Sequence, residues 1–205
     1  AGATYAWNPG GLTGSPVTVS PTATTTYTVT GTAAGCTGTA TATVTLYPIP
    51  TVNPETNLTY CAGAAVPANG LTGTPAGVTF NWTNSNTAIG LGASGTGVTS
   101  IPAFTATNTT TAPITATITV TPVANGCLGT PITYTITINP TPVATAETNQ
   151  TYCNGVAVAA NALAGTPTGV TFNWTNSNTA IGLGASGTGV TSIPGFTATN
   201  TTTAP

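Results

Sequence analysis

The 205-residue chain contains no Lys, no Arg, no His, no Asp and no Met, and Glu55 and Glu147 are its only charged side chains. Each absence closes a class of function. Without cationic side chains the chain cannot neutralise phosphates, which removes the main source of nucleic-acid affinity. It has no polybasic patch for anionic lipid. Without His, Lys or Asp, the Ser and Thr hydroxyls have no evident base to activate them, so no catalytic residue is named and the chain reads as a non-enzyme. No apolar run approaches the roughly 20 residues of a membrane-spanning helix. Neither an initiating Met nor a signal-peptide pattern is present, and the expectation is an internal stretch of a longer protein.

What remains is rich in Thr, Val and Ile, with a Trp in each copy of a repeat described below. Charged residues make up 1% of the chain, against about a quarter in an ordinary soluble protein. Disordered chains lack β-branched and aromatic residues. This composition predicts a β-protein whose outer faces are solvated by Thr hydroxyls, since Thr is at once β-branched and polar.

Residues 74–113 recur almost letter for letter as 166–205, with only Ala76/Thr168 and Ala103/Gly195 differing. Cys61 and Cys153, Trp82 and Trp174, and Glu55 and Glu147 are each 92 positions apart. Fidelity over so long a period means tandem copies of one folding unit. Three domains are expected: the C-terminal part of a first at 1–50, a complete one at 51–142, and the N-terminal part of a third at 143–205. Pro48 and Pro50, and Pro140 and Pro142, lock φ in the intervening linkers and predict short, stiff connections.

Period-two alternation marks the strands. In the first domain the runs are Thr26–Thr30 and Thr39–Leu46, with a turn over Gly31–Gly38. In the complete domain seven strands are expected near 57–61, 65–68, 78–83, 87–91, 98–106, 114–123 and 131–139. Val78, Phe80 and Trp82 share one face; Ala116, Ile118 and Val120 another; Tyr134, Ile136 and Ile138 a third. About ninety residues, seven strands, a Trp on the third strand and two flanking Cys fit an all-β, immunoglobulin-like sandwich.

Several motifs suggest chemistry and have plainer readings. Gly90-Leu91-Gly92-Ala93-Ser94-Gly95 fits the dinucleotide fingerprint. That motif needs a helix at its end and an acid about 20 residues on; a strand pattern follows here, so a loop is expected. Trp7, Trp82 and Trp174 are sugar-stacking candidates, but the alternation makes them core aromatics. Glu55 and Glu147 offer one carboxylate per repeat, whereas calcium wants six to eight oxygens. No metal and no cofactor are therefore expected. Asn57, Asn81, Asn108, Asn149, Asn173 and Asn200 head N-x-Ser/Thr sequons, several of which chance alone supplies in so Thr- and Asn-rich a chain.

Each copy opens on Tyr-Cys-x-Gly (Tyr60–Gly63, Tyr152–Gly155) and carries an aromatic-x-Trp strand. A Gly-Cys-x-Gly hairpin (Gly35–Gly38, Gly126–Gly129) precedes a Thr-alternating last strand. This resembles the PKD-like, immunoglobulin-like repeats of giant secreted bacterial surface proteins, the gliding adhesins of the type IX route among them. The resemblance implies an extracellular, cell-surface stalk or fibre whose partners are neighbouring repeats and, if rods bundle, other copies. The alternatives are a carbohydrate-binding accessory module and a laterally assembling sheath subunit. The repeat pattern and the oxidising location imply a Cys61–Cys127 bond within the complete domain, with Cys36 and Cys153 pairing outside the chain. A Cys36–Cys61 bond across the linker is the rival.

Overall fold

The computed structural model describes residues 2–202. Among the described residues the fold is all-β, broken by two single-turn 3-10 helices. In the first copy β1 (Thr4–Asn8), β2 (Leu12–Thr13), β3 (Thr25–Ala33) and β4 (Cys36–Val44) form one antiparallel sheet in the order β2-β1-β3-β4. The stretch expected as a turn, Gly31–Gly38, is mostly ladder: Gly31 lies opposite Gly38 and Ala33 opposite Cys36. The reversal is confined to Ala34 and Gly35, at φ 51° and 79°. Two left-handed residues match the natural twist of a hairpin, so two suffice to reverse the chain.

The second copy contains β5 (Thr51–Val52), β6 (Leu58–Cys61), β7 (Ala65–Val66), β8 (Asn69–Gly70), β9 (Gly73–Thr74) and β10 (Thr79–Asn84). It continues with β11 (Ser94–Val98), β12 (Ser100–Ile101), β13 (Phe104–Thr105), β14 (Ile114–Ala124), β15 (Cys127–Leu128) and β16 (Ile132–Asn139). One sheet runs β11-β10-β14-β16-β6, with β15 folded back on β14. All its pairings are antiparallel except β6 with β16. The ladders β5–β9, β7–β13 and β8–β12 supply the opposing layer. The core lies between: Phe80, Trp82, Ile118, Val120, Ile136 and Ile138 from the large sheet meet Val52, Val66 and Ile101 from the short ladders. The inward faces are those the alternation indicated, with Trp82 only 3% exposed.

Two segments depart from expectation. Residues 87–91 form no strand; Thr87–Ile89 is a 3-10 turn. Asn86 caps it by accepting from the Ala88 amide at 3.1 Å, and Gly90 ends it at φ 97°. An Asn before the turn and a left-handed Gly after it outweigh the apparent alternation, and Ile89 and Leu91 are buried all the same. The single strand expected at 98–106 is three pieces, because the chain changes layers there. β11 pairs with β10, while β12 and β13 pair with β8 and β7.

The third copy rebuilds the same local pieces. Phe172–Thr175 pairs with Ser186–Val190, and Asn178 caps a 3-10 turn at Thr179–Ile181. The 205 residues include no counterpart of β14 and β16 for this copy.

Candidate functional site

The three tryptophans occupy the strand position the sequence indicated. Trp7 is half-buried and its Nε1 donates to the Gly14 carbonyl at 3.0 Å. Trp82 is buried in the second core and Trp174 half-buried in the third copy. A Cβ on Gly95 would collide with the Trp82 indole, and Gly187 stands likewise to Trp174. The glycines let the neighbouring strand pass flat across each ring. The Trp82 ring is buried and offers no platform to a sugar.

Glu55 is half-buried and accepts from Asn69 Nδ2 at 2.9 Å; Glu147 and Asn161 repeat the contact at 3.0 Å. The bond ties the segment before β6 to β8, a structural task for the carboxylate. Tyr134 lies close by with its phenol oxygen buried and unpartnered. Burial pushes its pKa above the usual value; the nearby Asn69 amide opposes that shift, and the Glu55 and Tyr60 charges add to it. Among the described residues no group of three or more His, Cys, Asp and Glu could hold a metal.

The expected disulfide is not formed: all four cysteines are free thiols. Cys61 stands beside Asn139 at one end of the large sheet. Cys127 stands opposite Ala124 at the other end. Ten residues of β14 separate the two levels, since Tyr60 and Ile114 both flank Ile138. That is roughly 33 Å of strand, far beyond the roughly 7 Å that a disulfide spans between Cα atoms. The rival Cys36–Cys61 bond is also unformed; Cys36 sits at the exposed β3–β4 hairpin.

The fingerprint-like Gly90–Gly95 stretch is a loop running into β11, with no helix at its end. The asparagines carry roles that sequence reasoning missed. Asn84 Nδ2 donates to the carbonyls of Leu91 and Gly92 at 3.0 and 3.2 Å. Asn108 Nδ2 donates to Ala112 and Ile138 at 2.9 and 2.7 Å. Asn81 Oδ1 accepts from Gly97 N, and Asn57 Oδ1 from Thr135 N. Three sequon asparagines, Asn57, Asn81 and Asn108, thus act as side-chain staples on backbone groups.

The other feature with functional bearing is a surface. On the outer face of the large sheet, Ser94, Thr83, Thr119 and Thr133 lie directly opposite one another across β11, β10, β14 and β16. Thr117 faces Thr135 in the next row, flanked by Ser85 and Asn57, which bond the backbones of Thr117 and Thr135. Thr115, Thr137 and Thr59 form a third row, with the first two hydroxyls 2.9 Å apart. The first copy presents the same texture: Thr26, Thr28, Thr30 and Thr32 of β3 face Thr43, Thr41, Thr39 and Thr37 of β4. No charged side chain interrupts either grid.

Residues 58–142 match the family model of the PKD-like domain, and the fold is an all-β array of immunoglobulin-like β-sandwich units. No curated protein matches the chain. Among solved structures it is similar to extracellular cadherin domains 1–4 of protocadherin gamma B7, at 11% identity and a TM-score of 0.37 over 87% of this chain and 49% of that one. A structure of the protocadherin gamma B7 EC3–6 cis-dimer gives 9% identity and a TM-score of 0.34, covering 89% of this chain and 52% of that one. The chain thus spans about half the length of either structure.

Proposed function

We propose that the chain is the structural repeat region of an extracellular, cell-surface adhesin or filament and acts as a stiff stalk. Units of 92 residues, with the complete one at 51–142, follow one another along it. The observation that carries the reading is the first linker. Pro50 is fully buried, and the chain after β15 lies so close that a Cβ on Gly129 would overlap the Pro50 carbonyl. The end of the linker is therefore packed against the following domain, and Pro48 fixes φ on the exposed side. A junction held this way transmits orientation from one domain to the next.

Small-angle scattering of the 205-residue chain tests the reading. A ten-residue strand spans about 33 Å, and each repeat advances the rod by somewhat more, so an extended, rigid profile is expected. A profile requiring freely swinging domains would overturn it. Gly129→Val, which forces the hairpin off Pro50, is expected to convert the first profile into the second.

A further inference from the structure

We propose that the threonine grid on the outer face of the β11-β10-β14-β16-β6 sheet is a lateral docking surface for a second copy of this chain. The proposal rests on the stalk reading and adds how stalks meet.

Charge argues for a like partner. Protein surfaces normally keep apart through interspersed charge, and here there is none to repel. The chain has no cation to draw an acidic partner, and its carboxylates lie off the grid, Glu55 being tied to β8 in the opposite layer. Stacking two grids buries no charge. Chemistry argues the same way. Every Thr and Ser hydroxyl both donates and accepts, so the face is complementary to itself, as a two-fold interface demands. The Thr methyls between the hydroxyls supply apolar contact, and aligned sheets stack with their strands about 30° apart.

Area sets the strength. Four strands about 4.8 Å apart and three rows about 6.7 Å apart cover on the order of 400 Å². A stable interface takes about 800 Å² from each partner. One face is too small, and the two faces of this chain, at β10–β14–β16 and at β3–β4, fall somewhat short together. A long array repeats the contact once per domain, and linked weak contacts add in avidity. Short pieces should associate weakly and reversibly, and long arrays should bundle.

Sedimentation velocity of the 205-residue chain over a wide concentration series decides it. The sedimentation coefficient is expected to rise with concentration and to be indifferent to added NaCl, since no ion pair is involved. Thr30→Lys, Thr41→Lys, Thr119→Lys and Thr135→Lys together are expected to weaken association at least about tenfold, because like charges then face each other. The same four positions as Glu should act alike, and a mixture of the Lys and Glu variants should associate again. Ala65→Lys, exposed on the opposite layer, is expected to change nothing. Near-UV circular dichroism from Trp7 and Trp82 reports that each variant is folded. A chain that stays monomeric throughout would overturn the proposal. So would association that survives the four lysines, as contact through the uncovered inner faces of the first and third copies would. Scattering from the dissociated Lys variant keeps the two ideas separate, because an extended monomer leaves the stalk standing whatever becomes of the bundle.

Discussion

Residues 74–113 and 166–205 differ at two positions, yet one copy is a core and the other is not. Over the described residues their local geometry is the same. Asn86 and Asn178 cap at φ −148° and −140°, and Gly90 and Gly182 close the turns at 97° and 96°. Asn84 reaches the Leu91 carbonyl at 3.0 Å, and Asn176 reaches Leu183 at 2.9 Å. Burial is not the same: Ile89 is 0% exposed and Ile181 39%. Tyr152, Val158, Ile181, Leu183, Ile193 and Phe196 line a hollow in the third copy. Their counterparts Tyr60, Val66, Ile89, Leu91, Ile101 and Phe104 belong to the second core together with Ile118, Ile136 and Ile138. Backbone shape is thus written within the forty residues, by Asn and Gly at fixed places. Exclusion of water is written outside them, in β14 and β16.

The largest effect should come from breaking that difference. Trp82→Ala is expected to destabilise the second copy by about 3–5 kcal/mol, the usual loss for a buried Trp. Trp174→Ala, at the same place in the repeat, should cost the third copy about 1 kcal/mol or less. Amide hydrogen exchange, read separately over 79–84 and 172–175, measures both.

Next comes the strand that slides across the ring. Gly95→Ala pushes a methyl into the Trp82 indole and Gly187→Ala into Trp174. The buried ring has nowhere to go, so Gly95→Ala should cost about 1–3 kcal/mol, the range for overpacking. The half-buried ring can turn aside, and Gly187→Ala should show a smaller shift in the same exchange experiment.

Removing the caps should instead make the copies look alike. Asn86→Ala and Asn178→Ala each delete the acceptor of a local turn, and Asn86→Ala also removes the 3.3 Å bond from its Nδ2 to the Thr115 carbonyl of β14. About 1 kcal/mol is expected from the cap at both, and an excess at Asn86 would measure its bond to β14, which the third copy lacks.

The smallest effect belongs to Tyr134, which only the second copy has within this chain. Its folded pKa is raised. The stabilisation of the neutral phenol is fully present below the unfolded value near 10 and is lost as pH rises from there through the folded value. Tyr134→Phe should flatten this alkaline loss in chemical denaturation. At neutral pH it should change stability by about 1 kcal/mol or less, because the hydroxyl it removes makes no hydrogen bond of good geometry and is approached only by the Asn69 amide.

The same contrast explains how far the sequence could be read. Ala116, Ile118 and Val120 alternate with Thr, and that pattern alone placed them inside. The fold class followed from such runs. Residues 87–91 misled because Thr-Ala-Ile-Gly-Leu alternates by composition; the capping pair Asn86 and Gly90 was the available signal. Cys61 and Cys127 misled because a count of two per repeat says nothing about which end of a sheet each occupies. The asparagine staples join loops that only the folded chain brings together, as Asn108 does with Ile138 thirty residues away. The threonines were legible as an outer face, but their rows across strands needed the register.

The parallel pairing of β6 with β16 has a mechanical consequence. A pull along the chain enters the domain ahead of β6 and leaves after β16. Because the two strands run in the same direction side by side, from Leu58 against Ile136 to Cys61 against Asn139, the load draws them past each other lengthwise. Their backbone bonds then share the force in shear and must fail together, with the Asn57 bond to the Thr135 amide extending the row. An antiparallel hairpin pulled from its open end would yield one bond at a time. In the second copy β6 and β16 therefore form a clamp set across the line of tension.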